Sequence, residues 1–143
     1  MAINAGGNII TIGLRPDGSN WITSLTNPHK TSNEDKLICN LEIGETALVT
    51  SGNYERYFIC DGVRYHHIID PETLMPADYF ASVTIFTDKS GFADALSTAL
   101  FCMSYEEGLE LVNSIGGIDV LWIDNEGNMT YTSGLNGKIT MLK

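Results

Sequence analysis

Hydrophobic and polar positions in the first half of the chain follow the pattern of short β-strands. Runs rich in Ile, Val, Leu and Thr are separated by Gly, Pro, Asn and Asp, the residues that favour turns. The pattern predicts strands at residues 9–12, 21–26, 37–41, 46–50, 56–60 and 63–67. Residues 27–35 are polar and predict a loop.

The strongest local signal is a hairpin centred on Asp61 and Gly62, a dipeptide that favours two-residue turns. Such a turn sets the pairing of the flanking residues, which we expect to be Cys60 with Val63, Phe58 with Tyr65 and Arg56 with His67. Neighbouring side chains of a strand alternate between faces. The adjacent His66 and His67 are therefore expected on opposite sides of the hairpin.

After a predicted strand at residues 81–87, the spacing of apolar residues becomes helical. It predicts two consecutive helices, at about residues 91–103 and 105–115. For the first, Asp88 or Ser90 could supply the N-cap, and for the second Ser104 and Glu107 form a capping-box pattern. The apolar stripe expected on the first helix is Phe92, Leu96, Ala99, Leu100 and Met103, with Asp94, Ser97, Thr98 and Phe101 opposite.

Three further strands are expected at residues 118–123, 129–132 and 139–142. Strands on both sides of a helical pair predict an α+β fold with a mostly antiparallel sheet. The length of 143 residues suits a single domain over residues 1–143.

Charge restricts the possible partners. The chain has 18 acidic and 8 basic residues and a formal charge of -10, whereas nucleic-acid and anionic-membrane binding need a basic surface. No nucleic-acid partner is therefore expected. No apolar run approaches the length of a membrane span, so no membrane segment is expected either, and the first residues do not resemble a signal peptide. The cysteines Cys39, Cys60 and Cys102 have no metal-binding spacing, and the sequence leaves their disulfide status open.

Asp94 and Thr98 are the first candidates for chemistry. Their four-residue spacing puts both on one helix face, where a carboxylate and a hydroxyl can hold a hard cation such as Mg²⁺. We also expect both near a helix start, whose free amides attract phosphate. The alternative is a polar stripe in which the Thr98 hydroxyl bonds back to the helix backbone.

His67 and Asp70 are the next candidates. His67 lies at a predicted strand end, where it could act as a general base or contact a ligand, or could be a structural histidine on the hairpin. Asp70 precedes Pro71, which is typical of an Asx turn. We expect His66 and His29 to be structural.

Taken in order, these segments resemble the FAD:protein FMN transferase family, also called the ApbE family. The resemblance rests on an SGxY element from Ser51, an HIIDPxT element from His67 and an ADALSTALF element from Ala93. Further matching segments are residues 6–9, 15–21 and 81–84. The chain is thereby identified as an ApbE-like domain equivalent to the carboxy-terminal half of such an enzyme.

The resemblance implies a reaction and a site. Members use Mg²⁺ to transfer the FMN portion of FAD to a Ser or Thr hydroxyl of an acceptor protein, releasing AMP. On this sequence the family's metal ligands fall on Asp94 and Thr98, and its histidine falls on His67, with Ile68 beside it near the FAD. FAD and an acceptor protein are the implied partners. Members are often periplasmic or membrane-anchored lipoproteins, whereas the localisation of this chain stays open.

Two departures from the family pattern affect these expectations. Leu74 stands where the family usually has a glycine, so the loop beside His67 is expected to change shape. The amino-terminal half, with its GxxKGY-type flavin- and metal-binding element, has no counterpart. We therefore expect the isolated chain not to transfer FMN at a useful rate. The alternative function is a non-catalytic flavin-binding or protein-interaction module, which could pair with itself to cover exposed surface.

Overall fold

The computed structural model describes residues 1–30 and 36–142. Their strands and helices are, in order, β1 Ala2–Ala5, β2 Asn8–Thr11, β3 Trp21–Thr26, β4 Leu37–Ile43, β5 Thr46–Gly52, β6 Tyr57–Cys60, β7 Val63–His66, β8 Ser82–Thr87, α1 Ser90–Phe101, α2 Tyr105–Ile115, β9 Asp119–Ile123, β10 Met129–Tyr131 and β11 Ile139–Met141. A short 3-10 helix, Ser133–Leu135, lies between β10 and β11.

The strands form three sheets in the described part of the chain. The largest has six strands in the order β1-β2-β5-β8-β9-β10, the second has the order β11-β4-β3, and the third is the β6-β7 hairpin. Every strand pair described is antiparallel. The expected α+β class with mostly antiparallel strands is confirmed.

The six-stranded sheet is covered on both faces. One face packs against the helices through a buried cluster that includes Val83, Ile85, Leu96, Leu100, Phe101, Val112 and Trp122. The other packs against the three-stranded sheet through Leu25, Cys39, Leu41, Leu48, Phe86, Leu121 and Ile123. The side chains of β8 are therefore buried along its whole length, as expected for a central strand between two layers.

The strand predictions agree closely with the structure. β3 has the predicted bounds, and the hairpin pairs Cys60 with Val63 and Phe58 with Tyr65, as expected. The rings of Phe58 and Tyr65 stack with centroids 5.3 Å apart. The sequence pattern missed β1, whose four residues are all exposed and which pairs with β2 through the Gly6–Gly7 turn. Of the predicted loop at residues 27–35, positions 31–35 lie outside the described residues.

The helix predictions need two corrections. Neither Asp88 nor Ser90 caps α1: its N-cap is Lys89, which makes no side-chain capping bond, while the Ser90 hydroxyl donates to Asn8 Oδ1 at 3.0 Å. The buried face is also rotated from the expected one and comprises Ala93, Leu96, Ser97, Leu100 and Phe101. The α2 capping box of Ser104 and Glu107 is present as predicted.

Candidate functional site

The outer face of α1 carries the two predicted metal ligands. α1 packs on β5 and β8, and this packing leaves Asp94 and Thr98 exposed one turn apart. The expectation that both lie near the helix start is wrong, because α1 begins at Ser90 and its hydrogen-bond ladder has already begun when the Ala93 amide donates to Lys89 O at 2.9 Å. A ligand bound by Asp94 would therefore depend on side chains more than on free amides.

A cluster of hydroxyl groups lies beside this pair. The Thr98 hydroxyl is 3.3 Å from the Asp94 carbonyl oxygen, and the Ser97 hydroxyl is 3.0 Å from the same oxygen. From β5, the Ser51 hydroxyl lies 2.8 Å from that of Ser97 and 3.4 Å from that of Thr98. The backbone bond of Thr98, which we considered as an alternative to metal binding, is thus present. A hydroxyl that donates one proton keeps its lone pairs, so this bond does not prevent metal binding.

The chemistry of these donors suits Mg²⁺. A carboxylate and a hydroxyl are hard oxygen ligands, and Mg²⁺ takes few protein ligands and completes its octahedron with water and phosphate. The described residues contain no group of three or more His, Cys, Asp or Glu side chains placed to hold a metal. A zinc or other multi-histidine centre therefore has no support in the described part of the chain.

The SGxY element has a structural explanation. A side chain on Gly52 would begin 2.5 Å from a ring carbon of Tyr54, so the tyrosine ring occupies the space beside the Gly52 backbone. Burial, followed by the charge of Glu55, raises the pKa of Tyr54 to about 12, so its hydroxyl stays protonated at neutral pH. Sequence reasoning had assigned no role to Ser51, the first residue of this element, because its partners on α1 are distant along the chain.

A groove of about 780 Å³ runs beside the outer face of α1. Thr98, Ala99 and Cys102 line one side, and Ile69 and Tyr79 of the segment after the hairpin line the other. The two sides are linked where the Cys102 thiol lies 3.8 Å from the Ile69 carbonyl oxygen. Burial and the nearby Asp70 carboxylate raise the pKa of Cys102. Its thiol is therefore a poor nucleophile at neutral pH.

His67 and Ile68 differ in accessibility. His67 is exposed and lies against the hairpin, where its main-chain amide and its Nδ1 are each 3.3 Å from the Arg56 carbonyl oxygen. Ile68 is buried in the core beneath the helices. Among the described residues, no hydrogen bond joins His67 to Asp94 or Thr98. The structure thus brings the two metal candidates together and leaves the histidine free to meet a ligand.

The other polar candidates of this segment are structural. His66 is buried, and its Nε2 donates to the Ala77 carbonyl oxygen at 2.9 Å. Its ring meets that of Phe101 edge to face, with centroids 5.6 Å apart. Asp70 is buried and accepts the Glu72 amide at 2.8 Å, the Asx turn that the sequence predicted. Both residues fix the path of the chain on either side of His67.

Two further expectations concern membranes and thiols. Within residues 1–30 and 36–142, no helix has the length and apolar character needed to cross a membrane. Cys39 is buried, Cys60 is exposed and Cys102 is half-buried, and all three are free thiols. Burial raises the pKa of Cys39 to about 11. These thiols belong to three separate environments.

Comparison with known proteins identifies relatives of this chain. The chain is 36% identical to the FAD:protein FMN transferase of Treponema pallidum, in an alignment covering 98% of this chain and 41% of that protein. It is 35% identical to the FAD:protein FMN transferase of Klebsiella pneumoniae, covering 92% of this chain and 39% of that one. The chain thus spans about two-fifths of the length of these curated relatives.

Solved structures show the same relationship. The crystal structure of the ApbE protein from Thermotoga maritima superposes with a TM-score of 0.81 at 35% identity, covering 94% of this chain and 43% of that one. The flavin transferase ApbE from Vibrio cholerae superposes with a TM-score of 0.72 at 32% identity, covering 94% and 42% respectively. The model of the ApbE family matches residues 1–122. With most of its length matched in both sequence and fold, the chain belongs to the ApbE family.

Proposed function

We propose that this chain is the carboxy-terminal portion of a Mg²⁺-dependent FAD:protein FMN transferase, equivalent to the carboxy-terminal half of such an enzyme. The observation that supports it most directly is the pair of exposed oxygen ligands, Asp94 and Thr98, on the outer face of α1. They lie within the stretch of the chain that the family model matches. The relatives named above carry the activity in their names.

In this proposal the residues have distinct roles. The Asp94 carboxylate and the Thr98 hydroxyl hold Mg²⁺, which, when bound, offsets the negative charge of the FAD pyrophosphate. His67 accepts the proton of the acceptor's Ser or Thr hydroxyl as that oxygen bonds to the phosphorus of the FMN phosphate. The bond between that phosphorus and the oxygen leading to AMP breaks, and AMP leaves with the electron pair. Ile68 supports the position of His67 beside the FAD.

The isolated chain is proposed to be inactive. Asp94 and Thr98 supply two ligands to an ion that takes about six, and both are exposed to water. The relatives are more than twice as long as the region they share with this chain. Contacts that position FAD and exclude water would come from the region that has no counterpart here.

A second candidate function is a non-catalytic flavin-binding or protein-interaction module. The observation that favours it is the exposed apolar surface beside the groove, where Ile69, Leu74, Met75 and Tyr79 are each at least 44% exposed. Larger exposed apolar patches mark sites that bind proteins or ligands. Self-association through this surface is one form of this alternative.

The experiment that separates these functions is a flavin-transfer assay. The chain is incubated with FAD, Mg²⁺ and an acceptor protein that carries a Ser/Thr flavinylation site, and attached flavin is measured by in-gel fluorescence and mass. A full-length relative such as the Treponema pallidum enzyme is the positive control. We expect flavin transfer only with the relative. Stoichiometric attachment by the isolated chain would overturn the proposed inactivity, and chelation of Mg²⁺ would then test its metal dependence.

A further inference from the structure

Three hydroxyl groups connect the two proposed metal ligands to each other. Starting from Thr98, the hydroxyl oxygens of Ser51 and Ser97 follow at separations of 3.4 and 2.8 Å. The series ends at the main-chain carbonyl oxygen of Asp94, 3.0 Å from the Ser97 hydroxyl. It therefore begins at one proposed ligand and ends on the backbone of the other.

The burial of Ser97 favours one arrangement of hydrogen-bond donors and acceptors along this series. Ser97 is 0% exposed, so its single proton needs a protein acceptor. The Asp94 carbonyl can only accept, and it lies closer to the Ser97 hydroxyl, at 3.0 Å, than to the Thr98 hydroxyl, at 3.3 Å. If Ser97 donates to this carbonyl, its oxygen accepts from Ser51.

A cation bound to the Thr98 hydroxyl oxygen favours the same arrangement of donors and acceptors. The Ser51 proton is then committed to Ser97, so the Ser51 oxygen can accept from Thr98 but cannot donate to it. In the opposite direction, Ser51 would donate to the Thr98 oxygen. A bound cation disfavours that arrangement, because it draws electron density from the oxygen, making it a poorer acceptor and its proton a better donor.

We propose that Ser51 is a positioning residue of the metal site: its oxygen shares the Thr98 hydroxyl proton with the Asp94 carbonyl oxygen, and its own proton is donated to Ser97, which donates in turn to that same carbonyl. Both lone pairs of the Thr98 oxygen are then left to the cation. This inference rests on the proposed function, since it needs Asp94 and Thr98 to bind the metal. It adds a residue of the SGxY element, on a different part of the fold, to the two ligands of α1.

The test measures Mn²⁺ binding, since Mn²⁺ shares the preference of Mg²⁺ for oxygen ligands. Binding is followed by the loss of the free Mn²⁺ electron paramagnetic resonance signal, with and without FAD. Ser51→Ala is expected to weaken binding by about tenfold or more, as is typical when a partner of a metal ligand is removed. Ser51→Thr restores the hydroxyl and is expected to recover most of the affinity.

A matched control lies one position earlier on the same strand. The Thr50 hydroxyl pairs with that of Thr84 at 2.9 Å, so Thr50→Val removes a hydroxyl pair of the same kind within the sheet. It is expected to leave Mn²⁺ affinity unchanged. Ser97→Ala interrupts the series at its third hydroxyl and is expected to weaken Mn²⁺ binding as Ser51→Ala does, which provides a second test if Ser51→Ala fails to fold.

The outcomes distinguish a failure of the role proposed for Ser51 from a failure of the metal pair Asp94 and Thr98. Loss of Mn²⁺ binding in Asp94→Ala with unchanged binding in folded Ser51→Ala and Ser97→Ala would overturn the role of Ser51 and leave the metal pair intact. Equal weakening by Ser51→Ala and Ser51→Thr would overturn it as well, since only the hydroxyl is proposed to matter. No Mn²⁺ binding by the chain, or binding that Asp94→Ala leaves unchanged, would overturn the metal pair and the role of Ser51 together.

Discussion

The ring of His66 is held at both nitrogens in its neutral form. Nε2 donates to the Ala77 carbonyl oxygen at 2.9 Å, and Nδ1 accepts the Ile68 amide at 3.3 Å. A second proton on Nδ1 would face the Ile68 N–H and break that bond. Burial, the largest effect, lowers the pKa of His66, and the nearby His67 and Arg64 lower it further, outweighing the opposing effects of the Ala77 carbonyl and the Asp78 carboxylate.

This arrangement predicts a loss of stability in mild acid. Because the pKa of His66 is lower in the folded state than its ordinary value of 6.5, the unfolded chain binds the proton first as pH falls. The stability that neutral His66 contributes is fully present above about pH 6.5. It is lost as pH falls toward the folded-state pKa of His66, by at most about 1.4 kcal/mol per pH unit. Urea unfolding at pH 7.5 and pH 5.5 would measure it.

The control for this prediction is His66→Gln, whose side-chain amide can still donate to Ala77 but does not titrate. The variant is expected to lose less stability than the wild type between these two pH values. An equal loss in both proteins would assign the acid sensitivity to other groups. The lowered pKa values of Asp17, Glu107 and Asp124 act below about pH 4.5, outside this window.

Leu74 holds a backbone conformation that suits glycine. Its φ is +58°, in the left-handed region, and its side chain is 76% exposed. The turn is closed by the Leu74 amide, which donates to the Asp70 carbonyl oxygen at 2.9 Å. Leu74 thus adopts the left-handed conformation that glycine adopts most easily. The left-handed conformation costs a non-glycine residue about 1–2 kcal/mol.

Leu74→Gly is therefore expected to raise the free energy of unfolding by about 0.5–1 kcal/mol, after allowing for the greater freedom of glycine in the unfolded chain. Chemical denaturation of the two proteins under the same conditions measures the difference. Met75→Gly is the matched control, because Met75 is also exposed and its φ is not positive. The control is expected to be neutral or destabilising. A less stable Leu74→Gly would show that the leucine side chain contributes more than the strain.

The fold was largely predictable because its signals are local. The Asp61–Gly62 turn sets the register of β6 and β7, and the Ser104 capping box marks the start of α2. The face of α1 was not predictable in the same way. Ser97 is buried because a hydroxyl from β5, 46 residues away in sequence, supplies its hydrogen-bond partner. A prediction made from the polarity of serine alone would place the Ser97 side chain in solvent.

The same distinction applies to the site. The four-residue spacing of Asp94 and Thr98 predicted their shared helix face without knowledge of the rest of the fold. The role proposed for Ser51 depends on the packing of β5 against α1. This contact joins residues that are distant in sequence. The edge strand β1 was missed because its side chains are exposed on both faces, so the alternation between buried and exposed positions that identifies strands is absent.

Gly52 is expected to tolerate no side chain. A β-carbon there would lie 2.5 Å from Cε1 of Tyr54, whose side chain is half-buried. Gly52→Ala should therefore lower the free energy of unfolding by about 1–3 kcal/mol through overpacking. Thermal denaturation followed by circular dichroism measures this change.

The matched substitution for Gly52→Ala is Gly91→Ala in the first turn of α1. A β-carbon added to Gly91 would meet no heavy atom within 4 Å, and the φ of this residue is not positive. Alanine also has the higher helix propensity, so Gly91→Ala is expected to be neutral or stabilising. If Gly52→Ala were as well tolerated as Gly91→Ala, the Tyr54 ring would have room to move, and the explanation given for the SGxY element would be wrong.

Asp94→Asn tests the proposed metal site without disturbing the fold. The Asp94 side chain is exposed, and the hydroxyls of Ser97 and Thr98 bond to its main-chain carbonyl, which the substitution keeps. The free energy of unfolding without metal is expected to change by less than about 0.5 kcal/mol. Binding of Mg²⁺ in the presence of FAD, measured by calorimetry, is expected to be lost because the amide removes the charged ligand.

The control for Asp94→Asn is Asp88→Asn, which makes the same change in net charge just before α1, away from the face that carries Thr98. Its side chain is also exposed, so a general electrostatic effect on Mg²⁺ would appear in both variants. A specific site requires Mg²⁺ binding to survive in Asp88→Asn and to fail in Asp94→Asn. Equal weakening in the two would mean that Mg²⁺ responds to the overall charge of -10 and is not held by Asp94.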